Sequence, residues 1–566
     1  MSNNMKNIQF AAPTFAEWQE AAIKALKGKP FESLLTKTNE GITLQPLYTQ
    51  ASLVEKLGEQ LDKQVATIRT VQHSDDFSVA QTIFGDSGEQ FIDNLKDSLA
   101  RGNEVITVDS RVNFTWDTAT LQQLADYLTE YSFKMTVQND QDALLQVFDY
   151  IEEGKKSQVE GYIVSTTAFD LPLFPKVRTS VANTVTFHNE GANAVQELGL
   201  ALAIAAEYAE KAESFEAFAE KFFVSFAIDT QFFVEVAKLR AFKVLWKAFS
   251  SAYGIENTLS VPVIAETSVR SFSKLDVYVN LLRAGNEAFA GLIGGADVFT
   301  VHPHDALTTP TEQSIRIARN VLLVLKEETN VLKVTDPAGG SYFVESLTAD
   351  FVKAAWEYFL EIQAAGGFSA YQASGKLTEV LEASYNERIK AAQTRKQSLI
   401  GTNIYANPAD ELVTETNPLF ADVKRLAIPF ENLRADLTAT APKTAILTFG
   451  QLKNFKPRAD FVARFLNTVG LVPEQSGAIE TIEAAQQWLK AADYDYVVIA
   501  ATDDDTKAIV PSLLEVKPAK LILDAAGKYK DEQDAWLSQG LNGFIFAGQN
   551  IIEKLNNVSA SIKEVQ

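Results

Sequence analysis

The sequence contains no cysteine. That absence removes disulfide bridges, thiolate nucleophiles and cysteine metal sites, and it fits a reducing compartment. Histidine is scarce: His73, His188, His302 and His304 are the four in 566 residues, and no two stand four apart as a helical metal pair requires. Positive charge is also short. Against 73 Asp and Glu there are 51 Lys and Arg, a net charge of −22. Such an excess of acid repels phosphate backbones and anionic lipid, so neither nucleic acid nor a membrane surface is an expected partner. Long apolar runs are missing too. The most apolar stretch, residues 198–206, is closed by Glu197 and Glu207 and is too short to span a bilayer. Residues 1–14 lack the charged start and apolar core of a signal peptide. A cytoplasmic, soluble chain is expected.

What is present is the composition of a globular protein, 46% hydrophobic and 22% charged. The length suggests about two to four domains. Residues 1–45 hold one amphipathic segment, 15–26, stopped by Gly28 and Pro30. It reads either as an N-terminal arm packed on another chain or as a short helix on its own domain. Over residues 46–400, short β-rich runs such as 104–108, 161–165, 184–187 and 261–266 alternate with longer helical ones. That alternation predicts an α/β fold of parallel units, and the length suits a (β/α)8 TIM barrel. Residues 230–249 place Phe233, Val236, Ala237, Val244, Leu245 and Ala248 on one side of a core helix. Residues 401–440, with Pro408, Pro418 and Pro429, read as a linker crossing a surface. From 441 to 566, apolar runs at 445–449, 477–480, 496–500, 520–524 and 543–547 alternate with helical stretches. They predict a doubly wound, flavodoxin-like domain, in which ligands sit at the carboxyl ends of the strands. Here that rim is 451–458, 502–505 and 524–528.

Two strings carry a resemblance. The first runs from Phe226 through Phe232, Phe233 and Glu235 to Ala237-Lys238-Leu239-Arg240. The second is Asp336-Pro337-Ala338-Gly339-Gly340-Ser341-Tyr342-Phe343-Val344-Glu345, preceded by Ile317-Ala318-Arg319-Asn320 and Glu327-Glu328-Thr329. In this order they resemble the adenosylcobalamin-dependent acyl-CoA mutases, the methylmalonyl-CoA mutase family. The likeness is specific over residues 180–350, weaker over 50–180 and one of topology after 440. Taken singly, Gly339-Gly340 reads as a tight turn and Glu235 with Arg240 as a buried pair.

The resemblance implies a site that this sequence has lost. In the family, cobalt is held by a histidine in a D-x-H-x-x-G loop after the first strand of the C-terminal domain. A nitrogen lone pair must face the metal and a carboxylate must orient the ring from behind. Anchored on Gly470, the aspartate position falls on Lys453, the histidine on Phe455 and the glycine on Arg458. None of these offers the lone pair, and no histidine follows His304. The Ser-Ser-Leu after the third strand is replaced by Ala501-Thr502-Asp503, and a glycine pair after the fourth by Asp524-Ala525. In the barrel, the catalytic tyrosine falls on Val71 and a Tyr-His pair becomes Phe187-His188. An arginine, a histidine and a glutamine fall on Pro262, Ile264 and Glu266. Each change but His188 removes a donor from a site that must neutralise a carboxylate and a thioester. His302 matches a further family histidine. His188 and His302 read either as cavity-facing groups or, more simply, as strand-end histidines satisfied by backbone.

Three functions remain open. The first is a non-catalytic small subunit in a heterodimer, holding no cofactor, beside a catalytic large subunit whose adenosylcobalamin interconverts methylmalonyl-CoA and succinyl-CoA in propionate metabolism. In that reading the chain has no catalytic, cofactor-binding or metal residues. The second is an active adenosylcobalamin-dependent mutase with an unusual lower ligand, and the third is an acyl-CoA-binding module. Lys453, Lys456, Arg458, Lys528 and Lys530 share one rim and suggest a meeting with an acidic surface on the barrel or the partner; a solvated face is the simpler account.

Overall fold

A computed structural model describes residues 13–565 except 75, 168 and 258. Nine parallel strand segments form one sheet: β1 (Ser78–Thr82), β2 (Val105–Asp109), β3 (Ser132–Thr136), β4 (Gly161–Val164), β5 (Val177–Arg178), β6 (Ser180–Asn183), β7 (Phe222–Ile228), β8 (Val263–Thr267) and β9 (Val298–Thr300). Their order is β5-β4-β3-β2-β1-β9-β8-β7-β6. The two ends of the sheet, β5 and β6, are separated by Thr179 alone, so one bent run pairs with β4 through its first half and with β7 through its second. The result is a nearly closed parallel barrel, consistent with a TIM barrel.

Alternate residues along a strand face opposite sides. Ala80, Val105, Tyr162, Val164, Val181, Phe223, Ile264 and Val298 form one packed cluster inside the barrel. The other faces of the strands, with Val79, Val224, Phe226, Ala265 and Phe299, pack on the surrounding helices. Burial on both faces explains why β7 is an unbroken apolar run apart from Ser225.

The helix Phe232–Ala252 lies among the helices Gln60–Val71, Val279–Gly294 and Tyr342–Ala364. Burial on several sides overrides the single apolar face expected for it. Val236, Ala237 and Leu245 are buried, but Phe233 and Ala248 are exposed, while Glu235, Lys238, Arg240 and Lys243 are buried. Residues 184–187, expected as a strand, instead open the helix Val185–Glu190. The strand has already ended at Asn183, where the Thr184 N–H and hydroxyl both donate to the Ser225 carbonyl.

A second parallel sheet comprises β10 (Thr444–Thr448), β11 (Glu474–Gln475), β12 (Tyr496–Ala500), β13 (Ile522–Ala526) and β14 (Gly543–Ile545), in the order β11-β10-β12-β13-β14. Ile446, Val498 and Ile522 pack on one side, against helices that carry Phe455, Val462 and Leu555. Leu447, Val497 and Leu523 pack on the other, with Leu489 and Leu513. Helices therefore cover both faces. The expected run at 477–480 contributes only a bridge between Phe449 and Ile479, and the strand itself is Glu474–Gln475. Residues 428–440 also differ from a surface linker. They form the helix Ile428–Thr440, which packs Phe430, Leu433 and Leu437 into the second core. Pro429 sits in its first turn, where a missing N–H leaves nothing unsatisfied. No helix among the described residues is long and apolar enough to cross a membrane.

Candidate functional site

Two crevices lie where parallel α/β architectures place ligands, at the carboxyl ends of the strands. The first is a cavity of about 460 Å³ in the barrel mouth. Its wall is the polar layer directly above the apolar barrel interior: Thr82 on β1, Thr107 on β2, Lys134 on β3, Asn183 on β6, Ser225 on β7 and Glu266 on β8. Below it, the rings of Tyr162 and Phe223 meet at 5.3 Å and close the barrel axis with Ile264 and Val298. Above it runs the segment 417–423. Asn417 anchors this segment to the carbonyls of Ala306 and Leu307, and Phe420 packs edge-on against His302 at 5.0 Å.

Lys134 Nζ meets Glu266 Oε2 at 2.5 Å, and His302 Nε2 lies 3.3 Å from Oε1 of the same carboxylate. Burial alone raises the Glu266 carboxyl, but the Lys134 ammonium and His302 outweigh it and hold it well below the usual carboxylate range. At the rim, Asp109 takes both a 2.9 Å and a 2.8 Å hydrogen bond from the Arg111 guanidinium. Both cations of the cavity wall are thus already paired.

Of the seven barrel positions named from the sequence, Glu266 and His302 line this cavity. Val71 ends the helix before β1, near the amino ends of the strands, and the β1 residue at the mouth is Thr82. Pro262 precedes β8, and Ile264 sits one step below Glu266 in the barrel interior. Phe187 packs on Phe368, with ring centroids 5.8 Å apart. His188 is fully buried on a helix, not at a strand end, and side chains satisfy it rather than backbone. Its Nδ1 lies 2.8 Å from Glu197 and its Nε2 2.7 Å from Ser268 Oγ. Burial, and then the Arg270 charge, push its pKa down to about 4. Glu197 also accepts from Lys238 at 3.0 Å, and Lys238 contacts Glu235 at 2.6 Å. The pairing of Glu235 with Arg240 expected from sequence is replaced by this one. Lys134 and Arg111 escaped the sequence reading. Lys134 did leave a signal, a lone charge between Phe133 and Met135 in an apolar strand.

The second crevice, about 480 Å³, opens at the carboxyl ends of β12, β13 and β14, beside the first turns of the helix that follows β10. Asn454, Pro457, Arg458, Thr502, Asp503 and Gly527 line it. The family's loop is here helix: Leu452–Asn467 begins two residues after Gly450, which has φ +90°. Phe455 points into the core between this helix and the sheet, with 2% of its surface exposed. Lys453 is exposed. Arg458 spans the crevice, donating to Tyr529 Oη at 2.8 Å and to Asp503 at 2.7 Å. A Cβ on Gly527 would stand 2.7 Å from Tyr529 Oη. A corrin needs open space and a nitrogen lone pair facing its metal. The crevice is crossed by the Arg458 guanidinium, and Phe455 is turned away from it into the core. The residues present do not fit adenosylcobalamin. On the same rim, Lys456 pairs with Asp460 within its own helix, and Lys528 lies 4.4 Å over the Phe546 ring.

Fold and site together define an α/β-barrel protein whose polar chamber sits at the carboxyl ends of the strands, joined to a parallel sheet with helices on both faces. Residues 104–427 match the family model for methylmalonyl-CoA mutase, more than half of the chain, and the protein belongs to that family. The chain is 28% identical over 600 residues to the methylmalonyl-CoA mutase small subunit of Porphyromonas gingivalis, covering 95% of each protein. It is 27% identical over 612 residues to the protein of the same name from Propionibacterium freudenreichii subsp. shermanii, covering 97% of this chain and 94% of that one. To the methylmalonyl-CoA mutase of Cereibacter sphaeroides it is 30% identical over 459 residues, covering 69% of this chain and 64% of the other.

Proposed function

We propose that this chain is the small, non-catalytic subunit of a methylmalonyl-CoA mutase. It supports a cobalamin-dependent large subunit that interconverts methylmalonyl-CoA and succinyl-CoA in the cytoplasm. The observation that carries the reading is Phe455, a core residue where the family needs a histidine aimed at cobalt. In this reading residues 46–400 are the mutase-like barrel. Residues 441–566 are a flavodoxin-like, cobalamin-binding-type domain whose cradle is closed by the Arg458–Asp503–Tyr529 bridge. The packed barrel interior agrees, because it leaves no passage for an extended acyl-CoA.

A partner chain is supported by the N-terminal helix Phe15–Ala25, which has no buried residue and leaves Phe15 and Ile23 more than 40% exposed. Its inward contact is the Trp18 ring on Phe31. The names of the full-length relatives in Porphyromonas and Propionibacterium support the same assignment.

The test is co-expression with the large subunit. Mutase activity should require the partner's cobalt ligand and survive any substitution at Phe455 that folds. The purified chain mixed with adenosylcobalamin should leave the corrin absorbance unchanged. Isomerisation of methylmalonyl-CoA by the chain alone with added coenzyme would overturn the proposal. Retention of a CoA thioester without turnover would point to an acyl-CoA-binding module instead.

A further inference from the structure

We propose that the chamber in the barrel mouth is a binding site for a small, neutral, hydroxyl-rich molecule of about monosaccharide size. This goes beyond the subunit assignment and does not depend on it. The cations that reach the chamber are already neutralised, Lys134 by Glu266 and Arg111 by Asp109. An anionic ligand would have to take a cation from its pair and leave that pair's carboxylate uncompensated in a low-dielectric site. Glu190 and Asp422, carboxylates in the lining, oppose an anion further.

What remains facing the space is mainly hydroxyl. Thr107, Ser110, Thr136, Ser165, Thr186 and Ser225 line the cavity. The oxygens of Thr107, Ser110 and Ser225 are covered and without a hydrogen-bond partner, so a ligand gains them by a small rotation of each side chain towards the space. The same holds for Nδ1 of His302. Ser225 is 1% exposed and Thr107 6%, so their desolvation is complete and uncompensated. A hydroxyl both donates and accepts, so a polyol complements a hydroxyl wall whichever way each rotor turns. Phe420 and Leu419 supply an apolar ceiling for the C–H face of a ring. The Tyr162–Phe223 contact closes the floor and excludes any ligand that must extend through the barrel.

The test uses the purified full chain, titrated calorimetrically and by saturation-transfer NMR with myo-inositol, D-glucose and, as an anionic comparator, succinate. Saturable binding of one of the two neutral polyols is expected, with succinate silent. Ser225→Val removes a central hydroxyl, and Phe420→Ala removes the half-buried ceiling, which rests on the edge of the core. Each should weaken binding about tenfold, the equivalent of one hydrogen bond or ring contact. Silence of both polyols, tighter binding of succinate, or polyol binding that neither substitution alters would overturn the proposal.

Discussion

Arg240 and Asp336 form a bidentate ion pair, with Nε to Oδ1 at 2.8 Å and Nη2 to Oδ2 at 2.9 Å. The same guanidinium donates to Glu345 at 2.7 Å and to Thr348 at 2.9 Å. The two strings that identify the family therefore meet in space, one supplying the guanidinium and the other both carboxylates. The Gly340 N–H adds a hydrogen bond to Glu345, in a turn where φ is +85° and any side chain would be strained. Replacing Arg240 by Ala should destabilise the fold by about 3–5 kcal/mol, because two carboxylates stay buried without compensation. Lys should rescue only part of that, since an ammonium cannot span the fork. Urea denaturation of the three proteins measures both effects.

Lys134 and Glu266 provide a second buried pair, with a different expectation. Lys134→Met alone should cost about 3–5 kcal/mol, while Lys134→Met with Glu266→Leu should come close to the parent protein. Matched denaturation curves for the single and double variants decide it. A double variant no more stable than the single one would show that shape, not charge, holds this layer together.

Asp297 bears on how stability changes between acid and neutral pH. Its carboxylate accepts the Val263 N–H at 2.7 Å, and burial pushes its pKa up to about 7 despite that bond and the nearby Lys243 ammonium. A raised folded pKa means that the native state holds the proton more tightly than the unfolded chain. Its contribution is complete below the ordinary value of 3.8 and is lost as pH rises through 7. Asp297→Asn should flatten the fall in stability over that window by about a few kcal/mol, as thermal melts across pH would show.

His188 titrates in the opposite sense. With its pKa depressed to about 4, the neutral ring is the folded form, so stability is full above 6.5 and falls as pH drops toward 4. The chemical shift of its ring protons should stay flat from pH 8 to 5. A midpoint near 6.5 would mean that the ring is not buried as described.

Phe455→His tests the proposed lost ligand position. The imidazole would enter the core cluster that also holds Ala459 and Val462, outside the lining of the crevice. Loss of about 1–4 kcal/mol of stability is expected, with no change in the corrin spectrum on adding adenosylcobalamin. Spectrophotometric titration and melting of the same sample read both. A shifted corrin band would show that the helix can unwind to remake the loop.

Much of this was legible in the sequence because it rests on local periodicity. The alternation of β-rich and helical runs announces a parallel α/β protein, and the missing histidine after residue 304 is visible in the residue count alone. Misplacements fell where local preference yields to tertiary bonding. The run 184–187 has strand composition, yet the Ser225 carbonyl captures Thr184 and turns the chain into a helix. Val71 was aligned to a catalytic position, but the topology sets it at the opposite end of the barrel from the mouth.

The sequence by itself determined the parallel α/β barrel, the family and the absence of histidine after residue 304. Only the tertiary structure decided which charges neutralise one another. Arg240, Asp336 and Glu345 lie up to 105 positions apart, and Lys134 and Glu266 lie 132 apart. No periodicity encodes such pairings, because they depend on how strands and helices close around a common core. The hydroxyl-lined chamber has the same origin: its wall comes from separate strands, brought level only when the sheet curls into a barrel.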